Sequence, residues 1–257
     1  MNRYTKNFYD SVSHRAIIPA QISSLVIAGS IEPNSVIDIG SGQGVWLRTI
    51  SDVFPTVTRA VAIDIQPHQS PFFEELQSTS INFQFVESDF ENFSRLPKEN
   101  FDIAICLEVL EHLTPQTAVE VAEDIGRKCS FVIFSAAILG QGGTGHINER
   151  KFEYWMDLMR EQGFVALDVF RPILSVSEDV PSYYKQNMML FWHPDNASRD
   201  GVKFNLEVLL KMHSLGVRDI RSTATKFRYW VIALIPPGVV TTLVKVLDKT
   251  IRKFTQR

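Results

Sequence analysis

Apolar and polar positions alternate along this chain in blocks of two kinds. Residues 36–39, 59–65, 83–86, 101–107 and 130–138 are almost wholly apolar runs, and between them lie segments in which apolar residues recur every three or four positions. The first kind predicts strands buried on both faces, and the second predicts helices that cover them. Trp46, Leu47 and Ile50 mark a helix that ends by Pro55. Thr114 and Pro115 offer an N-cap and a first-turn proline ahead of Ala118, Val121, Ala122 and Ile125. Residues 150–162 predict a helix stopping at Gly163, and two further strands fall at 164–169 and 188–192. Ahead of the first strand, residues 4–29 read as mostly helical, with Ile17, Ile18, Ile22, Leu25 and Val26 on one side and Pro19 near a helix start. Strands alternating with helices imply an α/β fold, a Rossmann-like doubly wound sheet with ligand sites at the carboxyl ends of its strands.

The first strand runs into three glycines, Gly40, Gly42 and Gly44, and then directly into a helix. A turn of that kind lets a ligand lie against bare backbone. Three successive strands end in an acid, Asp38, Asp64 and Asp89. Asp64 comes about 20 residues after Gly44, where an acid would accept both ribose hydroxyls; Asp89, beside Phe90, is placed to bond an exocyclic adenine amine. An exposed Asp at a strand end is also a common turn former, but three at matching ends favour a site. A dinucleotide fits poorly, because Val45 and Trp46 stand where Gly-x-Gly-x-x-Gly spacing would continue and a pyrophosphate tolerates acids badly. S-adenosylmethionine carries a sulfonium and an ammonium and no phosphate, so an acidic rim suits it.

Composition narrows the picture only a little. With 257 residues, 45% hydrophobic and 21% charged, one α/β domain with an appendage fits better than two full domains. The net charge of −3 hides an asymmetry: from Ser198 onward there are 12 Lys+Arg against 4 Asp+Glu, leaving 14 against 25 before it. We therefore divide the chain into a helical cap (1–30), a cofactor-binding domain (31–197) and a basic, helical C-terminal extension (198–257). The extension shows helical periodicity at 204–215 and 239–254, and between them residues 227–237 are apolar, basic-flanked and too proline-broken to span a membrane. It reads as helices packed on the body, or as a peripheral element at an anionic inner membrane face with Tyr229 and Trp230 at headgroup depth. Nucleic-acid binding is disfavoured, because no aromatic-interleaved basic motif accompanies the acidic body. Cys106 and Cys129 lie in apolar runs with no metal-like spacing and read as buried thiols; residues 1–10 hold no apolar core of a secretory signal, so a cytoplasmic location is expected.

Taken in order, Val-Ile-Asp-Ile-Gly-Ser-Gly-Gln-Gly, Val-Ala-Ile-Asp-Ile, Glu-Ser-Asp-Phe and Phe-Asp-Ile-Ala-Ile-Cys-Leu-Glu-Val-Leu-Glu-His resemble the ordered motifs of class I S-adenosylmethionine-dependent methyltransferases. The resemblance covers about residues 30–193. It implies a seven-stranded sheet with the last strand antiparallel. It also implies a cofactor set of Asp38, Gly40, Gly42, Gly44, Asp64, Ile65, Asp89, Phe90 and Leu107, with Asp64 on the ribose and Asp89 on the adenine. Leu107 and Glu108 would then end the fourth strand near the methyl group.

Glu108, Glu111 and His112 stand at i, i+3 and i+4, so a helical turn would project them to one side. His146, in the glycine-rich loop after the fifth strand, should return to the same rim. Two carboxylates and two imidazoles suit Mg²⁺, Mn²⁺, Fe²⁺ or Zn²⁺. The pattern resembles the Glu-x-x-Glu-His plus distant His of small-RNA 3′-terminal 2′-O-methyltransferases and ubiquinone-pathway O-methyltransferases, which implies metal-assisted O-methylation. Glu-His at this point also occurs in the superfamily without a metal. His146, His112 and Glu111 are then the catalytic candidates, with an imidazole as general base if no metal is bound.

On the acceptor side, Tyr154, Trp155, Tyr183, Tyr184, Asn187 and Trp192 offer stacking surface or simply core. The Gly-Gly-Thr-Gly-His loop, the Tyr-Trp after it and the later Tyr-Tyr-Lys-Gln-Asn resemble bacterial methyltransferases of cell-surface glycan or glycolipid assembly. The expected function is O-methylation of a sugar, glycan or small hydroxylated acceptor. The alternatives are an RNA 3′-terminal ribose 2′-O-methyltransferase and a non-catalytic S-adenosylmethionine-binding protein.

Overall fold

A computed structural model of the chain describes residues 6–66, 70–92 and 96–216. In chain order the elements are α1 (Lys6–Ala28), β1 (Ile31–Glu32), β2 (Ser35–Ile39), α2 (Val45–Val53), β3 (Arg59–Asp64), α3 (Pro71–Gln77), β4 (Asn82–Glu87), β5 (Phe101–Leu107), α4 (Pro115–Lys128), β6 (Cys129–Ser135), α5 (Phe152–Glu161), β7 (Val165–Leu167), α6 (Arg171–Leu174), α7 (Ser182–Asn187), β8 (Met189–Trp192), α8 (Pro194–Asp200), β9 (Lys203–Phe204) and α9 (Leu206–Gly216). Seven strands form one sheet in the order β4-β3-β2-β5-β6-β8-β7. Strands β2 to β6 pair in parallel, and β8 runs antiparallel to both β6 and β7.

The apolar strands are apolar because both faces are covered. Along β5, Ile103 and Ile105 point into one core while Ala104 and Cys106 point into the other; along β6, Phe131 and Ile133 oppose Val132 and Phe134 in the same way. Both cysteines are buried and unpaired. Local signals fix the helix ends: the Thr114 hydroxyl accepts from the Thr117 amide at the head of α4, and Gly163, at φ +87, follows the C-cap of α5.

Three sequence expectations change. Pro19 lies inside α1, not near a helix start. The proline removes one backbone donor, yet the helix continues through it because packing supports it on both sides. The buried side of α1 is only partly the expected stripe: Ile17, Ile22 and Val26 pack against the core, Ala16, Ala20, Ser23, Ser24 and Ile27 are buried beside them, and Leu25 is 66% and Ile18 37% exposed. Small side chains let α1 lie close along α2. The fifth central strand, β6, ends at Ser135 instead of 138, and Ile138 forms an isolated bridge with Arg150.

Residues 198–216 pack on the body. β9 pairs antiparallel with β1, Leu209 of α9 is fully buried, and the Asp168 amide donates to His213 Nδ1. The apolar stretch at 227–237 and the helix expected at 239–254 lie outside the described residues. No described helix is long and apolar enough to cross a membrane.

Candidate active site

The connections place two loops side by side. From β2 the chain steps outward through β3 to β4, then crosses back to β5 on the other side of β2. The switch point lies between β2 and β5, and a doubly wound sheet opens its ligand crevice there. The loop after β2 carries the glycines, and the loop after β5 carries Glu108 to His112.

In the first loop the Gly40 and Ser41 amides both donate to the Ile63 carbonyl, while the Gly42 amide donates to Asp64 Oδ2 at 2.7 Å. Asp64 Oδ1 accepts from the Ile65 amide at 2.8 Å. Gly44, at φ +84, starts α2 where a Cβ would run into the Phe73 ring, so both the backbone and the space demand glycine. Asp38 is 3% exposed, and its Oδ2 makes no hydrogen bond. Burial and the charge of Asp64 push its pKa up to about 8, against a pull from the Leu47 amide. An orphaned buried carboxylate oxygen fits a cationic donor such as an ammonium group.

The rim is more open. Asp89, Phe90 and Leu107 are half-buried, and Ile65 is 50% exposed. Asp89 Oδ1 accepts from the Glu91 amide. The start of α1 closes the loop from above: Tyr9 packs beside Gly42, and Gln43 Nε2 donates to Asp10 Oδ1.

The second loop departs from the expected helical turn. Glu108 takes φ +56, the one positive value for a non-glycine residue among those described, and its amide donates to the Ser135 carbonyl. A single 3₁₀ turn, Leu110–His112, follows. Glu108 Oε2 accepts from Gln141 Nε2 at 2.7 Å, and its Oε1 is buried without a hydrogen bond. Glu111 is fully buried, and neither of its oxygens makes a hydrogen bond of good geometry, although Glu108 and the Ala137 backbone lie close.

His146 comes back to this rim because its loop docks on the same turn. The Ile147 and Asn148 amides both donate to the Glu111 carbonyl, and Asn148 Nδ2 donates to the Leu110 carbonyl. His146 Nε2 ends 4.0 Å from Glu111 Oε1, with its ring 4.8 Å from that of His112, edge to face. Ligand atoms of Glu111, His112 and His146 all lie within 4.8 Å of one another. Burial raises the pKa of both Glu108 and Glu111, and the charge of Glu108 raises that of Glu111 further. A divalent cation is the kind of counter-charge that would favour the ionised form of such a buried pair. The orphaned oxygens of Glu111 and the two imidazoles beside it fit such a cation.

The candidate acceptor residues divide. Trp155 and Tyr184 are core, 1% and 4% exposed, with their polar atoms bonded to the Ala137 carbonyl and to Trp46 Nε1. Trp192 packs on Phe204, and Tyr154 lies under Arg150. Asn187 is a buried wall residue whose Nδ2 donates to Gln141 Oε1. Tyr183 is half-buried, and its hydroxyl is pushed up to about 12 by burial and then by the charge of Glu108, which sets it on the Glu108 side of the crevice. Sequence reasoning missed Gln141 and Glu149, which bond Glu108 and His146 respectively. The signal available for Glu149 was its place three residues after a candidate His at the end of a glycine-rich loop.

Residues 36–130 match the family described as a methyltransferase domain, a span holding the glycine loop, the three strand-end acids and Glu108 to His112. The seven-stranded sheet around this span is the fold that the sequence resemblance to class I S-adenosylmethionine-dependent methyltransferases implies. It is similar to the ubiquinone biosynthesis O-methyltransferase of Shewanella sp., 25% identical over 109 residues, which are 42% of this chain and 45% of that protein. The protein of the same name from Salmonella arizonae is 25% identical over 166 residues, 64% of this chain and 62% of that one. The chain thus spans less than two thirds of the length of these curated relatives. Among solved structures, that of the small RNA methyltransferase HEN1 matches with a TM-score of 0.53 at 16% identity, over 76% of this chain and 26% of that one, a likeness of fold.

Proposed function

We propose that this chain transfers a methyl group from S-adenosylmethionine to a hydroxyl oxygen of a small acceptor, a sugar or glycan unit among them, at a cation-dependent site. The observation that carries the reading is Glu111: a fully buried carboxylate with both oxygens unbonded, flanked by His112 and His146. Such a group is costly to keep for structure alone. The relatives named as ubiquinone biosynthesis O-methyltransferases support oxygen as the acceptor atom.

Asp38 and the glycine loop would hold the methionine end of the cofactor, Asp64 the ribose and Asp89 the adenine. S-adenosylmethionine supplies an electrophilic methyl group, and methyl transfer is an in-line displacement in which positioning contributes most of the rate. Glu111, His112 and His146 would hold a divalent cation, which would supply a lowered pKa for an acceptor hydroxyl. The chain's own part is to orient that hydroxyl and to keep the β2 and β5 loops in register; with no cation bound, His146 or His112 would take the departing proton at an imidazole nitrogen. Tyr183 and the buried Gln141–Asn187 pair form the acceptor wall.

Single-turnover assays with labelled cofactor test these roles. His146→Ala and Glu111→Gln should each abolish methyl transfer while S-adenosylhomocysteine binding stays nearly unchanged. Equal loss of cofactor binding in both variants would contradict the assignment.

A further inference from the structure

Glu149 gathers two backbone amides and one ring nitrogen of the glycine-rich loop. Its Oε2 accepts from the Gly140 amide at 2.8 Å, and its Oε1 accepts from the Gly142 amide at 2.7 Å and meets His146 Nδ1 at 2.9 Å. The carboxylate is mostly buried, and the base of the loop is tied by the Leu139 amide donating to the Arg150 carbonyl. The imidazole ring has little freedom: a Cβ on Gly143 would run into its Cε1 and Nε2.

An ionised carboxylate has only lone pairs to offer, so a 2.9 Å contact with Nδ1 requires the ring proton on that nitrogen. In neutral imidazole the lone pair then sits on Nε2, the nitrogen facing Glu111 at 4.0 Å. We propose that Glu149 is a positioning residue: it holds His146 as the Nδ1–H tautomer and thereby presents the Nε2 lone pair to the Glu111 and His112 cluster. The same carboxylate sets the loop that carries the ring, so one side chain fixes where Nε2 is and which protonation form it takes. A carboxylate behind a ligating or proton-accepting imidazole has this effect generally. What Nε2 then does, whether it ligates a cation or takes a proton, rests on the function proposed above.

The tautomer is directly readable. In the ¹⁵N-labelled full chain with chelator present, at about pH 8.5 and so above the ordinary histidine range, two-bond ring correlations report which nitrogen carries hydrogen. With six histidines in the chain, the His146 signals are assigned by their loss in His146→Gln. The wild type should show a protonated Nδ1 and a bare Nε2, and Glu149→Gln, which places an amide donor among three N–H groups, should move the proton towards Nε2. A wild-type His146 protonated on Nε2, or a tautomer unchanged in a folded Glu149→Gln, overturns the proposal. If that variant fails to fold, the wild-type spectrum decides alone.

Calorimetry with Mn²⁺ separates this idea from the reading beneath it. Binding by wild type that weakens about 10–100-fold in Glu149→Gln, at similar melting temperature, supports both. A wild-type Nδ1–H tautomer with no Mn²⁺ binding keeps Glu149 as positioner and removes the cation. Mn²⁺ binding alongside an Nε2–H His146 does the reverse.

Discussion

Asp38 holds a proton that water would leave free. Burial, with the charge of Asp64 beside it, lifts its pKa to about 8. In the unfolded chain the same group ionises near its ordinary value of about 4. Between those limits the folded state binds a proton that the unfolded state has released, so stability at this residue is full below about pH 4 and falls as pH rises. The slope is at most about 1.4 kcal/mol per pH unit, and the loss is complete above about pH 8. Asp38→Asn removes the effect. Urea denaturation without ligand should show the variant gaining on the wild type from pH 5 to 8 and then holding a constant lead, whereas a pH-independent difference would contradict the burial argument. At Gly143 the constraint is space: Gly143→Ala should displace the His146 ring and cut methyl transfer at least about 10-fold, with cofactor affinity within about twofold of wild type. Unchanged turnover in that variant would mean the ring is not needed where it lies.

The switch point between β2 and β5 is held from its far end. Asp102 Oδ2 accepts from the Asn34 amide at 2.6 Å and the Ser35 amide at 3.2 Å, and Ser35 Oγ accepts from the Asp102 amide at 3.0 Å. This reciprocal lock sets the register of the two strands whose carboxyl ends carry the glycine loop and Glu108. Asp102→Ala strands the buried Ser35 amide and the part-buried Asn34 amide and should lower stability by about 1–3 kcal/mol in urea with an unchanged m-value. A change under about 0.5 kcal/mol would show that strand packing alone sets the register. Strands were the legible elements, because a run such as Ala60 to Ile63 is apolar on both faces only where helices cover a sheet twice. The turn carrying Glu108 was not legible. Its spacing fits a helix, and only the Ser135 and Gln141 partners, distant in sequence, reveal the kink at φ +56. The inner side of α1 was legible at Ile17, Ile22 and Val26, which pack on the core, and not at Ala16, Ala20 and Ser23, because small residues carry little apolar signal of burial.

Across the whole molecule, the strand-end acids Asp38, Asp64 and Asp89 were readable as neighbours because topology brings equivalent strand ends to one rim. The aromatic candidates were not separable, since an aromatic such as Trp155, 1% exposed, gives the same signal in a core as at a site. The basic segment after Gly216 holds the remaining sequence signal, and we expect it to bind anionic surfaces. The full chain should float with vesicles containing phosphatidylglycerol and not with phosphatidylcholine alone; equal behaviour in both would remove the membrane reading.

The most direct measurement is incubation with methyl-labelled S-adenosylmethionine and fractions of cell extract, with and without a metal chelator, identifying the labelled product by mass. The account predicts label on a hydroxyl oxygen of a small acceptor, lost in chelator and restored by an added divalent cation. Label on a nitrogen or carbon, or transfer to oxygen that ignores the chelator, would contradict it.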